Sequence, residues 1–570
     1  MESKKQTAKT AFLLLCLVVL IIAVVFIVKK YTPSKETMEL TKYYSVDTGK
    51  IMLVMQDEVY EEQGLYKDGM VYVDINTIQK YFNHRFYWDA NENILIYTTP
   101  NEIIKTEVGS KYYYINKSKT NVDYQIVKTD GEKTYVAIDY VKLYTNLEYK
   151  IYKNPNRIVF RYKWNEKYSY SEIKKEAALR TKDSIKSPIL YTLEPGEKVY
   201  YTPVAKDETI DSAFAKVITK DGIVGYIKVN RISDKKTKML KNDYKEVAYP
   251  HITKDYKINM VWHQVTNQDA NEGILNLLNN TKGVTTVSPT WFALTDSKGN
   301  ISSLASERYV QRAHNAGVEV WALCNDFDSQ NVNMVELLSY TSRRERLINE
   351  LIANAIKYNL DGINIDFERI TNDAGEHFIE FIRELSVKCR SNGVILSVDN
   401  YAPGYTAQYD RKEQGEVVDY VITMAYDEHT SGSKESGSVA SISFVDNAIQ
   451  KTLEEVPADR TIIGVPFYTR LWKETKEGDE TKISSQAYGM VQAQNVLSDY
   501  QVQPKWDEKT KQYYGQFEKD GAVYKMWLEE DESIEEKMKL IDKAKVAGVA
   551  GWKLGLEKPS VWNVIVKYVN

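Results

Sequence analysis

Residues 361–368 read Asp361-Gly-Ile-Asn-Ile-Asp-Phe-Glu368, and the alternation within this run decides how the C-terminal half of the chain is read. Successive side chains of a strand point to opposite faces. Asn364, Asp366 and Glu368 therefore share one face, and Ile363, Ile365 and Phe367 share the other. The apolar trio suits the side that packs beneath helices. The amide and the two carboxylates are left to face the axis of a closed barrel, with successive members about 7 Å apart. Two acids buried there, with no basic neighbour in the strand, push one another's pKa upward, which a general acid working at neutral pH requires. Glu368 closes the run at the C-terminal end of the strand, where barrel enzymes place their chemistry.

Apolar strand-like runs flank this segment on both sides: 258–265, 285–294 and 318–324 before it, then 394–400, 420–427, 461–468 and 548–555. Amphipathic stretches separate them, for example 375–393, which stops at Asn392-Gly393. Strands alternating with helices or loops from about residue 245 predict an α/β fold, a (β/α)8 TIM barrel with insertions over 245–570. A doubly wound sheet would carry a glycine-rich nucleotide turn, and the sequence has none.

Composition narrows the chemistry. Lys and Arg number 75 against 79 Asp and Glu, a net charge of −4, so electrostatic capture of nucleic acid is not expected. The three cysteines, Cys16, Cys324 and Cys389, cannot form a disulfide framework or a zinc-type cluster. Six histidines are scattered without an HExxH pattern. Neither a metal site nor an organic cofactor is expected. Eight of the ten tryptophans lie after residue 250, so aromatic stacking on a flat ligand belongs with the C-terminal half if anywhere.

Residues 11–28, AFLLLCLVVLIIAVVFIV, are apolar throughout, with Lys4, Lys5 and Lys9 before them and Lys29 and Lys30 after. At 1.5 Å per residue the run covers about 27 Å, enough to span a hydrocarbon core. The exit IVKKYTPS has no small-x-small cleavage pattern. The expectation is an uncleaved transmembrane helix over 11–28 with a cytoplasmic tail over 1–10, a single-pass protein of the cell membrane with everything downstream extracytoplasmic.

Residues 45–165 contain a duplication with a period of about 63 residues. Tyr72-Val73 aligns with Tyr135-Val136, Ile75 with Ile138, and Ile78 with Val141. This small α+β module resembles the copper amine oxidase N-terminal-like domain. Its segments lack the ligands for copper, and it reads as an adhesion or spacing module. Over 175–235 short strands are punctuated by Pro195-Gly196 and Asp221-Gly222. That small β-barrel pattern resembles a bacterial Src-homology-3-like domain, which makes it a candidate for contact with wall peptides.

The run 361–368 also fits the signature Asp-Gly-φ-(Asp/Asn)-φ-Asp-x-Glu of glycoside hydrolase family 18. Met424-Ala-Tyr-Asp427 is similar to that family's Met-x-Tyr-Asp element, and Trp552 falls where the family has a tryptophan at the floor of its sugar site. The stretch after Met424 resembles the spore-cortex and cell-wall lytic branch more than the secreted chitinases. Many chitinases have Asp where this chain has Asn364, which leaves open how the charge on Asp366 is balanced. The resemblance implies substrate-assisted retaining hydrolysis, an exception to the two-carboxylate scheme. Glu368 would be the acid, Asp366 would hold the substrate's acetamido group, and Tyr426 would bind its oxygen. Asn364, Met424, Asp427 and Trp552 would bind sugar. The implied partner is peptidoglycan or another N-acetylglucosamine polymer. The expected protein is a membrane-anchored cell-wall N-acetylglucosaminidase; the alternatives are a chitinase, a catalytically silent sugar-binding protein on the same fold, and an assembly protein that works through its duplicated region.

Overall fold

The computed structural model describes residues 2–206, 208–327, 332–478 and 480–569. The chain forms two compact units, one of residues 1–86, 106–112 and 121–246, the other of 87–105, 113–120 and 247–570.

The second unit is built on eight parallel strands: β1 (Ile258–His263), β2 (Thr286–Pro289), β3 (Glu319–Asn325), β4 (Gly362–Asp366), β5 (Ile395–Tyr401), β6 (Tyr420–Met424), β7 (Thr461–Pro466) and β8 (Gly548–Trp552). Each pairs in parallel with the next, and β8 returns to β1, so the sheet closes into a (β/α)8 barrel. The alternation in β4 works as its side chains require. Phe367, at the outward-facing register just past the strand, stacks on Phe381 of the following helix with ring centroids 5.8 Å apart. Asn364 and Asp366 are buried on the inward side. The apolar stretch 285–294 divides into β2 and a short strand, Phe292–Leu294, that pairs with Ile301–Ser303 in a hairpin.

Two long helices, α1 (Thr341–Tyr358) and α2 (Asn372–Ser391), flank β4 in the chain. Helix α2 begins three residues earlier than the amphipathic pattern suggests and ends before Gly393, whose φ of +68° suits the stop. The longest insertion, between β7 and β8, is a five-stranded antiparallel sheet with the helix Met490–Asp499 against it, around Ala493, Leu497, Met526 and Leu528. Helix α3 (Asp531–Ala544) follows it and leads to β8.

Residues 87–105 belong with the barrel. The hairpin Tyr87–Asp89 and Ile94–Thr98 lies against α1 and α2, where Tyr87, Ile96 and Ile103 meet Val387. Asp89 accepts hydrogen bonds from the backbone N–H and hydroxyl of Thr341, both at 2.6 Å, and Glu92 accepts from the N–H of Ser342 at 2.8 Å. Helix α1 has no cap from its own preceding residue, Tyr340, so a segment about 250 positions upstream satisfies its free N–H groups. Beneath it the buried Arg344 pairs with Glu384 at 2.8 Å and stacks on Tyr87. The hairpin at 87–98, inside the expected 45–165 module, thus packs on the barrel helices, where its polar ends complete one of them.

The first unit keeps the rest of the duplication. Strands Met70–Asp74 and Lys133–Ala137 pair antiparallel through Val136↔Val73, and each leads into a short helix, Ile75–Tyr81 or Ile138–Leu143. The aligned residues of the two repeats therefore meet across one seven-stranded sheet. A second seven-stranded antiparallel sheet, over 167–239, wraps a core of Leu179, Val199, Val217, Ile223 and Ile227. The buried Arg157 of the first sheet pairs with Asp221 in the hairpin turn of the second at 2.8 Å. At the N-terminus a helix runs over Glu2–Tyr31, longer than the expected 11–28, and an 18-residue stretch inside Lys5–Tyr31 has a mean hydropathy of 3.6. It is long and apolar enough to cross a bilayer, a property that anchors and leader sequences share.

Candidate active site

The C-terminal ends of the barrel strands gather the acids. Asp366 ends β4 at 3% exposure, and Glu368 follows, half-buried, just beyond it. Glu368 is held by its own backbone: its N–H and that of Arg369 donate to the two carboxylate oxygens of Asp326, at 2.9 and 3.0 Å. Asp326 lies directly after β3. The Tyr401 hydroxyl, at the end of β5, donates to Glu368 Oε2 at 2.5 Å. Burial pushes the Glu368 carboxyl above its ordinary range, the Tyr401 hydrogen bond pulls it back, and the charges of Asp326 and Asp427 push it up again.

Asn364 lies deeper, fully buried, with its whole amide engaged. Its Oδ1 accepts from the Trp262 indole N–H and the Ser288 hydroxyl, both at 3.1 Å. Its Nδ2 donates to Ser397 Oγ at 3.0 Å and to Asp399 Oδ1 at 2.8 Å. An amide with both lone pairs and both hydrogens spent inside the barrel has nothing left for a sugar. The expectation that Asn364 contacts substrate is replaced by a buried clamp on β5. Asp366 is driven well above the usual carboxylate range, first by burial and then by the charges of Asp399, Glu368 and Asp326.

Tyr426 follows β6, almost wholly buried, with its ring edge-on to Trp262 and Tyr468 at 6.4 Å from each. Gly464 on β7 leaves room for it, since a Cβ there would come within 3.1 Å of the Tyr426 ring. Asp427 is exposed, has a φ of +58°, and accepts a hydrogen bond from Tyr468 at 2.5 Å. Met424 is buried at the end of β6, beneath the mouth. Trp552, half-buried at the end of β8, packs edge-on against Trp262 at 5.9 Å. Asp366, Glu368, Tyr426, Asp427 and Trp552 thus all sit at the same end of the barrel, with Met424 and Asn364 supporting from below.

Asp326, Asp399 and Tyr401 were missed by sequence reasoning. Asp326 lies just past a strand, Tyr401 ends one and Asp399 is two residues short of that end, in LCND (323–326) and SVDNY (397–401), and an acid or phenol near that place in a barrel is the signal that finds them. Chemically the mouth offers a carboxyl whose pKa is raised by burial, a second buried carboxyl beside it, a buried phenol and an indole face. That set suits proton donation to a leaving oxygen and capture of a polar group on a sugar ring. Among the described residues no group of three or more His, Cys, Asp or Glu is arranged to hold a metal ion.

The chain is similar to known proteins over two stretches. Residues 262–557 match the model of the glycosyl hydrolases family 18, and residues 54–160 match the copper amine oxidase N-terminal domain. The chain is 25% identical over 287 residues to the uncharacterized glycosylase YvbX of Bacillus subtilis, covering 48% of this chain and 81% of that one. It is 25% identical over 233 residues to the cortical fragment-lytic enzyme of Bacillus anthracis, covering 39% of this chain and 53% of the relative, so it spans about half that enzyme's length. The crystal structure of the Bacillus cereus spore cortex-lytic enzyme SleL shares the fold, at a TM-score of 0.50 and 21% identity, over 58% of this chain and 79% of that one.

Proposed function

The chain belongs to the glycosyl hydrolases family 18, and from that premise we propose that it is a membrane-anchored N-acetylglucosaminidase of the cell wall that cleaves peptidoglycan by substrate-assisted, retaining catalysis. The observation that carries this reading is the pair at the end of β4: Glu368, half-buried and held by Asp326 and Tyr401, beside the deeper Asp366, whose carboxyl burial pushes well above its usual range.

Glu368 gives its proton to the glycosidic oxygen as the bond to the anomeric carbon breaks. The substrate's own acetamido oxygen attacks that carbon and closes an oxazolinium ring. Asp366 accepts a hydrogen bond from the acetamido N–H and balances the positive charge that develops there. Tyr426 donates to the acetamido oxygen and Trp552 floors the ring. Water, deprotonated by Glu368, then opens the oxazolinium and restores both the acid and the acetamido group.

Relatives named for lysing spore cortex support a wall glycan as substrate. The apolar helix Lys5–Tyr31 supports a site outside the membrane, with the domains over 45–165 and 175–235 holding the barrel near the wall at raised effective concentration. Two experiments test this. Purified peptidoglycan is digested with wild type and with Glu368→Gln, and the new reducing end is identified by mass spectrometry. N-acetylglucosamine at that end, released by wild type alone, is expected. Cleavage confined to chitin oligomers would replace the substrate, and equal activity of both proteins would remove the mechanism. Fractionation of intact cells is expected to leave the full-length chain in the membrane, and a released form cut after the apolar run would make that helix a leader.

A further inference from the structure

The inside of the barrel poses a charge problem that the reaction alone does not solve. Asp366 must carry negative charge when the oxazolinium forms, yet it is buried among acids. Strands β4 and β5 run in register, Asn364 opposite Ser397 and Ile365 opposite Val398. The next step of that register sets Asp366 beside Asp399. Asp399 is 2% exposed and fixed at one oxygen by Asn364. Its other oxygen, Oδ2, and Oδ1 of Asp366 are both buried, and neither takes a hydrogen bond from any described residue. Two adjacent carboxylates, each with a buried and unsatisfied oxygen, are satisfied together by a single proton between them. Leaving both oxygens bare costs the full desolvation penalty of each.

The geometry points to Asp399 as a positioning residue for the proposed hydrolysis: it shares one proton with Asp366 across the β4–β5 boundary, and Asn364 clamps it there. The carboxylate absent from position 364 is thus supplied from the next strand. At rest the proton lies between Asp366 Oδ1 and Asp399 Oδ2. As the acetamido group attacks, the O–H bond on Asp366 breaks and one on Asp399 forms. Asp366 becomes the anion that faces the oxazolinium, and Asp399 becomes neutral. When water opens the intermediate the proton returns, and nothing is consumed. The other groups acting on the pair are the acids Glu368 and Asp326, which favour a retained proton, and the neutral donors Asn364 and Trp262, which favour charge on Asp399. On the facing elements the phenols of Tyr401, Tyr409 and Tyr426 close the set; the Asp366 charge disfavours their ionisation.

This inference rests on the substrate-assisted reading, so the test separates the two. Full-length wild type, Glu368→Gln, Asp399→Asn and the double variant Asn364→Asp/Asp399→Asn are compared on purified peptidoglycan, with folding checked by thermal unfolding. Loss of activity in Glu368→Gln, together with no cleavage of a β-glucan that lacks the N-acetyl group, secures the underlying reading by itself. Asp399→Asn is then expected to lower kcat by about tenfold or more with KM little changed, and to move the acid limb of the pH profile. The double variant, which returns the carboxylate to β4, is expected to recover most of that loss. A wild-type kcat and pH profile in Asp399→Asn, or a double variant no better than the single one, would overturn the proposal. A readout independent of turnover is the infrared difference between wild type and Asp366→Asn/Asp399→Asn at neutral pH. One protonated carboxyl and one carboxylate are expected to disappear together, whereas loss of two carboxylates or of two protonated carboxyls would refute the shared proton.

Discussion

Replacing Tyr401 by Phe removes one hydroxyl from the mouth of the barrel and tests how Glu368 is tuned. The Tyr401 hydroxyl donates to Glu368 Oε2 at 2.5 Å and so favours the ionised carboxylate. A hydrogen bond to a charged group contributes about 1.5–3 kcal/mol. Tyr401 is 36% exposed, so water takes up part of the lost bond, and roughly half of that range is a fair expectation. At 1.36 kcal/mol per pKa unit this is a shift of about 0.5–1 unit. The sign follows from the chemistry. Glu368 must be protonated to act as acid, so activity falls as pH rises through its pKa. Without Tyr401 that pKa rises further, and the alkaline limb of kcat/KM moves upward by the same 0.5–1 unit, roughly. The assay is the pH dependence of initial rates on a soluble N-acetylglucosamine oligosaccharide. An alkaline limb that stays in place, or moves down, would refute the argument that this hydroxyl stabilises the carboxylate.

Glu368→Gln keeps the shape of the side chain but removes the transferable proton, and a loss of about 10²- to 10⁴-fold in kcat with an unchanged circular dichroism spectrum is expected. Lys537→Met strands the buried Glu529, whose oxygens lie 2.9 Å from Lys537 Nζ; urea unfolding should report a loss of about 3–5 kcal/mol, relieved at low pH where Glu529 takes up a proton. Asp89→Ala leaves the first turn of α1 without two acceptor contacts, which should cost about 1–2 kcal/mol and show as faster hydrogen exchange at the start of that helix.

The barrel was legible because its strands advertise themselves. In β4 the inward and outward faces differ at every residue, and Phe367 on Phe381 and Asn364 on Asp399 bear out that division. Asn364 itself shows the limit of the method. Its type and face were readable, but the Trp262, Ser288, Ser397 and Asp399 contacts that use up its amide come from three other strands, and no local pattern records them. Asp399 stayed hidden for the same reason, since one acid in SVDNY looks like any strand end until its register against Asp366 is known. The insertion after β7 was obscured by Tyr468, which continues the apolar run yet opens a different sheet. The divided duplication was beyond reach altogether. Two hairpins of one repeat pattern have different neighbours, and only the contacts of Asp89 and Tyr87 with barrel helices tell them apart.

The external cap on α1 also sets a clock for the nascent chain. Asp89 and Thr341 are 252 positions apart. At about 5–20 residues per second, roughly 13–50 s of synthesis separate their appearance. For that interval the hairpin bearing Tyr87, Asp89 and Ile96 has left the ribosome without the helices it rests on. Its apolar side stays uncovered while the polypeptide passes through whatever machinery handles it. The helix, when it arrives, meets an acceptor already waiting. The barrel is therefore finished by a segment made well before the helix it caps, and substitutions in 87–105 should lower the yield of intact enzyme before they alter any step of its chemistry.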